Sequence, residues 1–382
     1  VGVSPANAGH GVSPFADFIA EGWGNVSGGL RTGAVGSQFL DFGVDLDLEK
    51  IGGWRGGSFM AEGHWMENYG GTGPLGERTG AFNPVSNVAA ERHLRVYHLF
   101  YRQTFANGRA LLKMGQLAVD DDFMASDYAG LFLNSSFGAM PSQVDSPQFP
   151  VWPVAAPGIF IMHRPADWCY WQAGLYHGKP GDDVPGNYGF EWARQSNPGV
   201  SLFYETSFNY SLAGRKAMTR LGGTFHSGDA PDYAAINAGH ASAVRHGTVS
   251  VYAIQDWAIV QDEHGDPRVG LFVRGGFKPE PERRLVGAYA DAGLNWFGPI
   301  HGRKDDVAGI AVAWTKFGSD YRRSTGYSVA NSDKTLELTY KAQVTRGFSL
   351  QADVQFLFDP ARNASGSRST ATVLGLRAAL SF

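Results

Sequence analysis

The run Leu336-Glu337-Leu338-Thr339-Tyr340-Lys341-Ala342-Gln343-Val344 alternates apolar and polar side chains without a break. The alternation returns one turn later, where Leu350, Ala352, Val354, Phe356 and Phe358 interleave with Gln351, Asp353 and Gln355. Successive residues of an extended chain point to opposite faces, so each run reads as a strand with one apolar and one polar side. A helix would place apolar residues three and four apart, and that spacing is absent. Near the start, Leu40, Phe42, Val44, Leu46 and Leu48 oppose Asp41, Asp45 and Asp47 in the same way.

From Phe15 onward about sixteen such segments follow one another. Their centres lie near Ile19, Phe42, Ala61, Leu99, Leu112, Ile161, Gly174 and Tyr204, then near Gly222, Ala253, Val273, Ala292, Val312, Tyr340, Val354 and Leu376. Each is close to the roughly 9–11 residues that a tilted membrane strand needs, and an even number is the rule for bacterial barrels. Tight connections at Ala106–Arg109, Pro165–Asp167, Leu212–Gly214 and Thr345–Gly347 alternate with long ones. Short periplasmic turns and long external loops produce that asymmetry. The final segment places Thr372, Leu374, Leu376, Ala378, Leu380 and the terminal Phe382 on one face. A terminal aromatic of this kind resembles the signal by which barrel-assembly machinery recognises outer-membrane strands. Trp65, Tyr97, Trp171, Trp296 and Trp314 read as aromatic girdles on the apolar face. The fold class expected is all-β: a transmembrane antiparallel barrel of about 16 strands in the bacterial outer membrane, bounded by lipid and lipopolysaccharide.

Composition agrees. The 382 residues are 43% apolar and 18% charged, with 51 Gly, 25 Phe, 15 Tyr and 10 Trp. The aromatic content and a net charge of −4 argue against disorder, and no basic face is present for nucleic acid. The lone Cys169 excludes an intrachain disulfide and a cysteine metal cage. No stretch has the roughly 20 apolar residues of a membrane helix. Ala6-Asn7-Ala8 has the small-x-small form of a signal-peptidase site, so residues 1–14 read as a flexible N-terminus, either a signal remnant or an arbitrary tail. Residues 15–382 read as one barrel.

If the apolar face meets lipid, the alternate face lines the lumen. It carries acids, among them Asp41, Asp45, Glu62, Glu205, Asp291, Glu337 and Asp353, and bases, namely Arg102, Lys113, Arg220, Arg274, Lys341 and Arg377. A lumen of one sign selects ions of the other, whereas mixed charge suits a polar, roughly neutral solute such as a sugar. Such charges also pair across barrel walls merely to fill them. The connection 119–157 is far longer than ordinary loops, and its Phe123, Tyr128, Phe132, Phe137, Phe149 and Trp152 give it a core of its own. Folded inward, it would constrict the pore. Asp120, Asp121 and Asp122 open it, as a solvated turn, a casual Ca²⁺ site or part of the constriction. Trp152 could stack on a pyranose or simply pack on the wall. The eleven His show no HExxH spacing, no Gly-x-Ser-x-Gly occurs, and neither cofactor nor resident metal is expected.

The chain is similar to the carbohydrate-selective outer-membrane porins, the OprB-type family. The carrying residues are Asp45-Leu46-Asp47-Leu48-Glu49-Lys50-Ile51-Gly52-Gly53-Trp54 with Gly56-Gly57, then Leu112-Lys113-Met114-Gly115-Gln116. Leu271–Gly276, Gly302-Arg303 with Asp305-Asp306, Glu337–Tyr340, and Leu350–Gln355 with Asp359-Pro360 follow in order. The resemblance implies a sixteen-stranded pore, constricted by inward-folded external loops and charged wall residues that favour monosaccharides over ions. Lys113 and Arg274 match its basic positions, Glu337 an acidic one, and Gln351 with Asp353 its penultimate-strand motif. Arg102 departs from the pattern.

The expected function is passive, substrate-selective diffusion of monosaccharides or similar small polar solutes, not catalysis. The candidate constriction residues are Glu62, Arg102, Lys113, Asp120, Asp122, Trp152, Glu205, Arg274, Glu337 and Asp353. A porin for small organic acids or other nutrients, which Arg102 would suit, is the alternative, as is a barrel acting as scaffold or adhesin. Either a monomer or a trimer fits the sequence.

Overall fold

The computed structural model describes residues 10–70, 76–144, 149–326, 328–358, 360 and 369–382. Ala6-Asn7-Ala8 and Asp359 lie outside the described residues. The strands in chain order begin with β1 (Val12–Ser27), β2 (Gly33–Asp47), β3 (Gly57–Tyr69) and β4 (His93–Phe105). Next come β5 (Ala110–Leu117), β6 (Ala156–Ala166), β7 (Cys169–His177) and β8 (Val200–Leu212). The second half comprises β9 (Arg215–Pro231), β10 (Val244–Gln261), β11 (Pro267–Phe277) and β12 (Val286–Phe297). It ends with β13 (Val307–Phe317), β14 (Ser332–Thr345), β15 (Phe348–Phe358) and β16 (Ala371–Ser381). Every centre read from the sequence falls inside its strand.

Each strand pairs antiparallel with its chain neighbours, and β1 pairs with β16, so the sheet closes on itself. Closure is what hydrocarbon demands, because an unpaired backbone group there costs several kcal/mol and an open sheet has a whole edge of them. The outer surface is apolar as the alternation requires: Leu99, Trp296, Val312, Leu338, Leu374 and Leu376 are all exposed on it. Among the described residues no helix is long and apolar enough to cross a membrane. The ladder joining β2 to β3 begins beyond a short helix, Leu48–Gly52, capped by the Asp47 side chain, which accepts hydrogen bonds from the Glu49 and Lys50 amides.

The ladders slip at several points, and one slip changes the reading of the inner wall. The pairing of β3 with β4 skips a residue between Glu62, opposite His98, and Gly63, opposite Val96. The extra residue is a bulge, which reverses the facing of everything beyond it. Tyr97 is therefore buried inside the barrel beside His98 and is not part of the lipid-facing girdle expected from the sequence. The long connection is also slightly shorter than expected. Pro157 already pairs with Gln116 as the second residue of β6, a position where a missing amide hydrogen is tolerated.

Candidate solute passage

The connection from β5 to β6 does not stand outside the barrel. Its aromatic residues Phe123, Phe132, Phe137 and Phe149 are buried in one cluster with inward-facing Phe160, Phe203, Tyr252, Phe272 and Tyr289 of the wall. Two wall glycines make room. A Cβ on Gly270 would lie 2.4 Å from the Tyr128 ring, and one on Gly309 would lie 2.8 Å from the ring of Phe132. Such close approach is what glycine inside a strand permits.

Polar anchors complete the docking. Arg274 faces Asp291 at 2.5 Å and donates to the carbonyls of Gly138 (2.8 Å) and Ser136 (3.2 Å) in the loop. Glu337 accepts from the Leu133 and Asn134 amides at 2.6 and 2.9 Å. Asp256 accepts from Ser126 and the Asp127 amide, and Arg220 bridges Asp256 (2.6 Å) and Asp127 (2.8 Å). Glu205 accepts from the Met124 amide at 3.2 Å and from Tyr252 at 2.8 Å. Gln351 donates to the Leu131 carbonyl, and Gln355 accepts from Asn134. Asp353 accepts from Gln355 at 2.9 Å. Of the sequence candidates, Glu205, Arg274, Glu337 and Asp353 are thus buried beneath or beside the loop. Glu205, Arg274 and Glu337 hold the loop against the wall directly, and Asp353 supports it through Gln355, which accepts from Asn134.

The remaining candidates except Arg102 gather on the other side. A cavity of about 450 Å³ is lined by Asp17, Asp41, Glu62, His98, Lys113 and Asp120–Asp122, and reaches Ser381 and Phe382 at the rim of the short turns. The three consecutive aspartates have three different partners. Asp120 accepts from the Trp152 amide at 3.1 Å, Asp121 faces His98 Nε2 at 2.8 Å, and Asp122 holds Lys113 at 2.6 Å. Burial first, and then the neighbouring Asp121 charge, push the Asp120 carboxyl up to about 7. Lys113 also sits over the rings of Phe100 and Phe160. Trp152 packs edge-on against Phe39 and donates its indole N–H to the Ala89 carbonyl, while bordering a second cavity of about 310 Å³. That second cavity is also lined by Asp120. Arg102 lies apart, paired with Asp45 at 2.8 Å and half-exposed.

Sequence reasoning missed the connection between β3 and β4. Its Phe82, Asn83, Pro84, Ser86, Asn87 and Ala89 line the second cavity, and the segment is pinned across the barrel. The Phe82 amide donates to Asp333 at 2.6 Å, Asn83 donates to Thr315, and Gln355 donates to the Val85 carbonyl. Arg377, paired with Glu21, also donates to Asn87 at 2.6 Å. The available signal was the stretch Thr79–Ala90, which has no charged residue although it lies in a connection.

Comparison with known proteins gives this architecture its family. The sequence profile of the carbohydrate-selective porin, OprB family, matches residues 31–382. The chain belongs to the OprB family. The chain is also 23% identical to Porin B of Pseudomonas aeruginosa over 383 aligned residues, 90% of this chain and 82% of that one. The high-pH structure of Pseudomonas putida OprB superposes with a TM-score of 0.86 at 20% identity, covering 98% of this chain and 94% of the other. The low-pH structure of that protein gives 0.61 at 16% identity, covering 98% and 93%. A Salmonella typhi OmpF complex gives 0.57 at 9% identity, covering 97% of both chains. These likenesses establish the porin fold, and the family is one of bacterial outer-membrane channels and not a class of enzymes. In this OprB-family barrel, the loop between β5 and β6 and the wall of β1–β5 leave an acid-lined cavity between them.

Proposed function

We propose that the chain is a passive diffusion pore whose narrow segment selects monosaccharides and similar small, uncharged, hydroxyl-rich solutes. One observation carries the reading: the two cavities, one bordered by the β3–β4 connection and one reaching the short-turn rim, share Asp120 as a lining residue. A solute moving from one to the other passes that carboxylate. Around it stand further carboxylates that accept hydrogen bonds from hydroxyl groups, together with the Lys113 ammonium, which donates. A cavity of about 450 Å³ lies in the usual range for small-molecule sites, roughly 300–1,000 Å³. The acid-rich lining favours neutral solutes over small organic acids, since Lys113 is already held by Asp122.

Single-channel current in a planar bilayer tests this. Glucose at millimolar concentration is expected to reduce the ion current in a saturable way, and succinate to leave it unchanged. Block by succinate alone would transfer the substrate class to organic acids, and absence of any conductance would favour a scaffold. The reading extends to assembly. Phe382 is 75% exposed at the end of the closing strand, its amide donating to the Ala16 carbonyl at 2.9 Å, and so is available to assembly machinery. Deleting Phe382 is expected to lower the fraction of chains recovered as membrane-inserted barrels, and normal insertion of that variant would remove Phe382 from assembly.

A further inference from the structure

The inward faces of β2 and β3 bring together Asp41, Glu62 and His64, with one ligand atom of each within 4.8 Å of the others. Register explains the grouping: Asp41 is directly opposite His64, and Glu62 is two residues before His64 on the same face. His64 Nε2 lies 2.9 Å from Glu62 Oε1 and 3.6 Å from Asp41 Oδ1. Three ligands at about 2.1 Å from a tetrahedral metal ion stand about 3.4 Å apart. Two of the three separations are within about half an ångström of that spacing, and the third is no more than 4.8 Å.

A second observation points to a cation independently of that spacing. Asp41 is 5% exposed, and its Oδ1, the atom aimed at the imidazole, has no hydrogen-bond partner. A buried carboxylate oxygen left this way costs free energy that a bound ion would recover. The register adds a further carboxylate, because Asp17 on β1 is directly opposite Asp41, a like-charged pairing that is unfavourable without compensation. The imidazole is already fixed in place. His64 is 2% exposed, stacks on Tyr97 with ring centres 4.1 Å apart, and meets Phe39 and Trp152 at 5.0 Å each. Ligands held by packing lose little freedom on binding a metal.

We infer that Asp41, Glu62 and His64 form a binding site for a divalent transition-metal ion on the wall of the solute passage. The donor set, one imidazole and two carboxylates, matches zinc and its first-row neighbours and not calcium or magnesium, which take oxygen ligands alone. Asp41 and Glu62 border the cavity of about 450 Å³, so the ion enters from the lumen and its remaining coordination position faces passing solute. Two negative charges on the passage wall are neutralised when it binds.

Zn²⁺ titration of the purified, chelator-treated barrel by isothermal calorimetry tests the site. One ion per chain is expected, with His64→Gln and Asp41→Asn each weakening binding by more than the roughly 10–100-fold that second-shell changes cost. His246→Gln, which removes an exposed imidazole paired with Asp229, is expected to leave the affinity unchanged. X-ray absorption of the Zn²⁺-loaded native protein, which needs no variant, is expected to show one imidazole among oxygen donors. In a planar bilayer, micromolar Zn²⁺ is expected to change the current reversibly with chelator, and to do nothing to His64→Gln. No saturable binding, equal binding by native protein and both ligand variants, loss of binding only in His246→Gln, or a spectrum with no imidazole or several would each overturn the assignment.

Discussion

The two sides of the lumen are built from the same alternating strands and end up with opposite roles. Along β8–β15 the inward charges meet the loop: Arg274 with Asp291, Asp256 with Arg220, and Glu337 with the backbone of Leu133 and Asn134. Along β1–β5 the loop meets His98 through Asp121 and Lys113 through Asp122, and beside these contacts Asp17, Asp41 and Glu62 line a cavity. Inward orientation is thus necessary for a selectivity residue and far from sufficient. What decides is whether the chain returns to cover that wall.

Breaking the covered side should have the largest effect. Removing one partner of a buried ion pair strands the other charge and typically costs about 3–5 kcal/mol. Arg274→Ala strands Asp291 and also frees the carbonyls of Ser136 and Gly138. The expected result is a barrel that unfolds at a lower temperature in a gel-mobility melt and shows larger, noisier single-channel conductance as the loop detaches. Asp291→Asn added to Arg274→Ala is expected to recover part of the stability, because the stranded charge is gone. Unchanged conductance in Arg274→Ala would mean that the aromatic cluster alone keeps the loop docked.

Next in size comes the open side. Hydrogen bonds to charged groups contribute about 1.5–3 kcal/mol, so Lys113→Met, which strands the largely buried Asp122, is expected to weaken glucose block by roughly tenfold or more and to lower the melt by less than Arg274→Ala, which frees two loop carbonyls as well. The contrast with Arg274→Ala is the point: stability falls more on one side and selectivity on the other. Equal losses of stability in the two variants would erase the distinction.

Asp120 offers a smaller, pH-dependent effect where the two sides meet. Its carboxyl is pushed up to about 7, so the docked loop prefers the protonated form. The contribution of this group to docking is therefore greatest below about pH 4, falls as pH rises toward 7 and is level above that. In the passage, ionisation adds a negative charge over the same interval. The ratio of cation to anion permeability is expected to rise between about pH 6 and 8 in the native pore and to stay flat in Asp120→Asn. A midpoint that survives in Asp120→Asn would take the titration away from Asp120 and overturn its role in the passage.

The division between the sides also sets what could be read in the sequence. The strands were legible because a period of two is a local property, and each centre from Ile19 to Leu376 lies within a strand. Tyr97 was misplaced because a bulge leaves no mark in composition, yet it reverses every later facing on β4. The inward charges were legible for the same local reason. Which of them a loop would cover was not, because the contact of Glu337 with Leu133 joins residues about two hundred positions apart. The connection between β3 and β4 escaped because Asn83, Val85 and Asn87 act through side-chain amides and a carbonyl, and no charge pattern announces them. His64 escaped because a search for helical metal spacings does not register a glutamate and a histidine two apart on a strand.

The smallest effect is expected where neither description applies. Arg102, the residue at odds with the family pattern, lies on the inner wall of β4 but is missing from the linings of both cavities, and its guanidinium reaches water although its partner Asp45 is only 13% exposed. Pairs reached by water contribute about 0–1 kcal/mol, since solvent screens the charges and two long side chains lose freedom. Arg102→Gln keeps a donor for the Ser58 hydroxyl that the guanidinium now contacts at 2.8 Å. The variant is expected to melt within a degree or two of the native barrel and to block with glucose at an unchanged concentration. A residual change in conductance should vanish at high salt, as it does for a charge acting through solution. A salt-independent loss of glucose block in Arg102→Gln would instead move the selective zone down β4, away from Asp120, and the cavity wall would have to be redrawn around the Arg102–Asp45 pair.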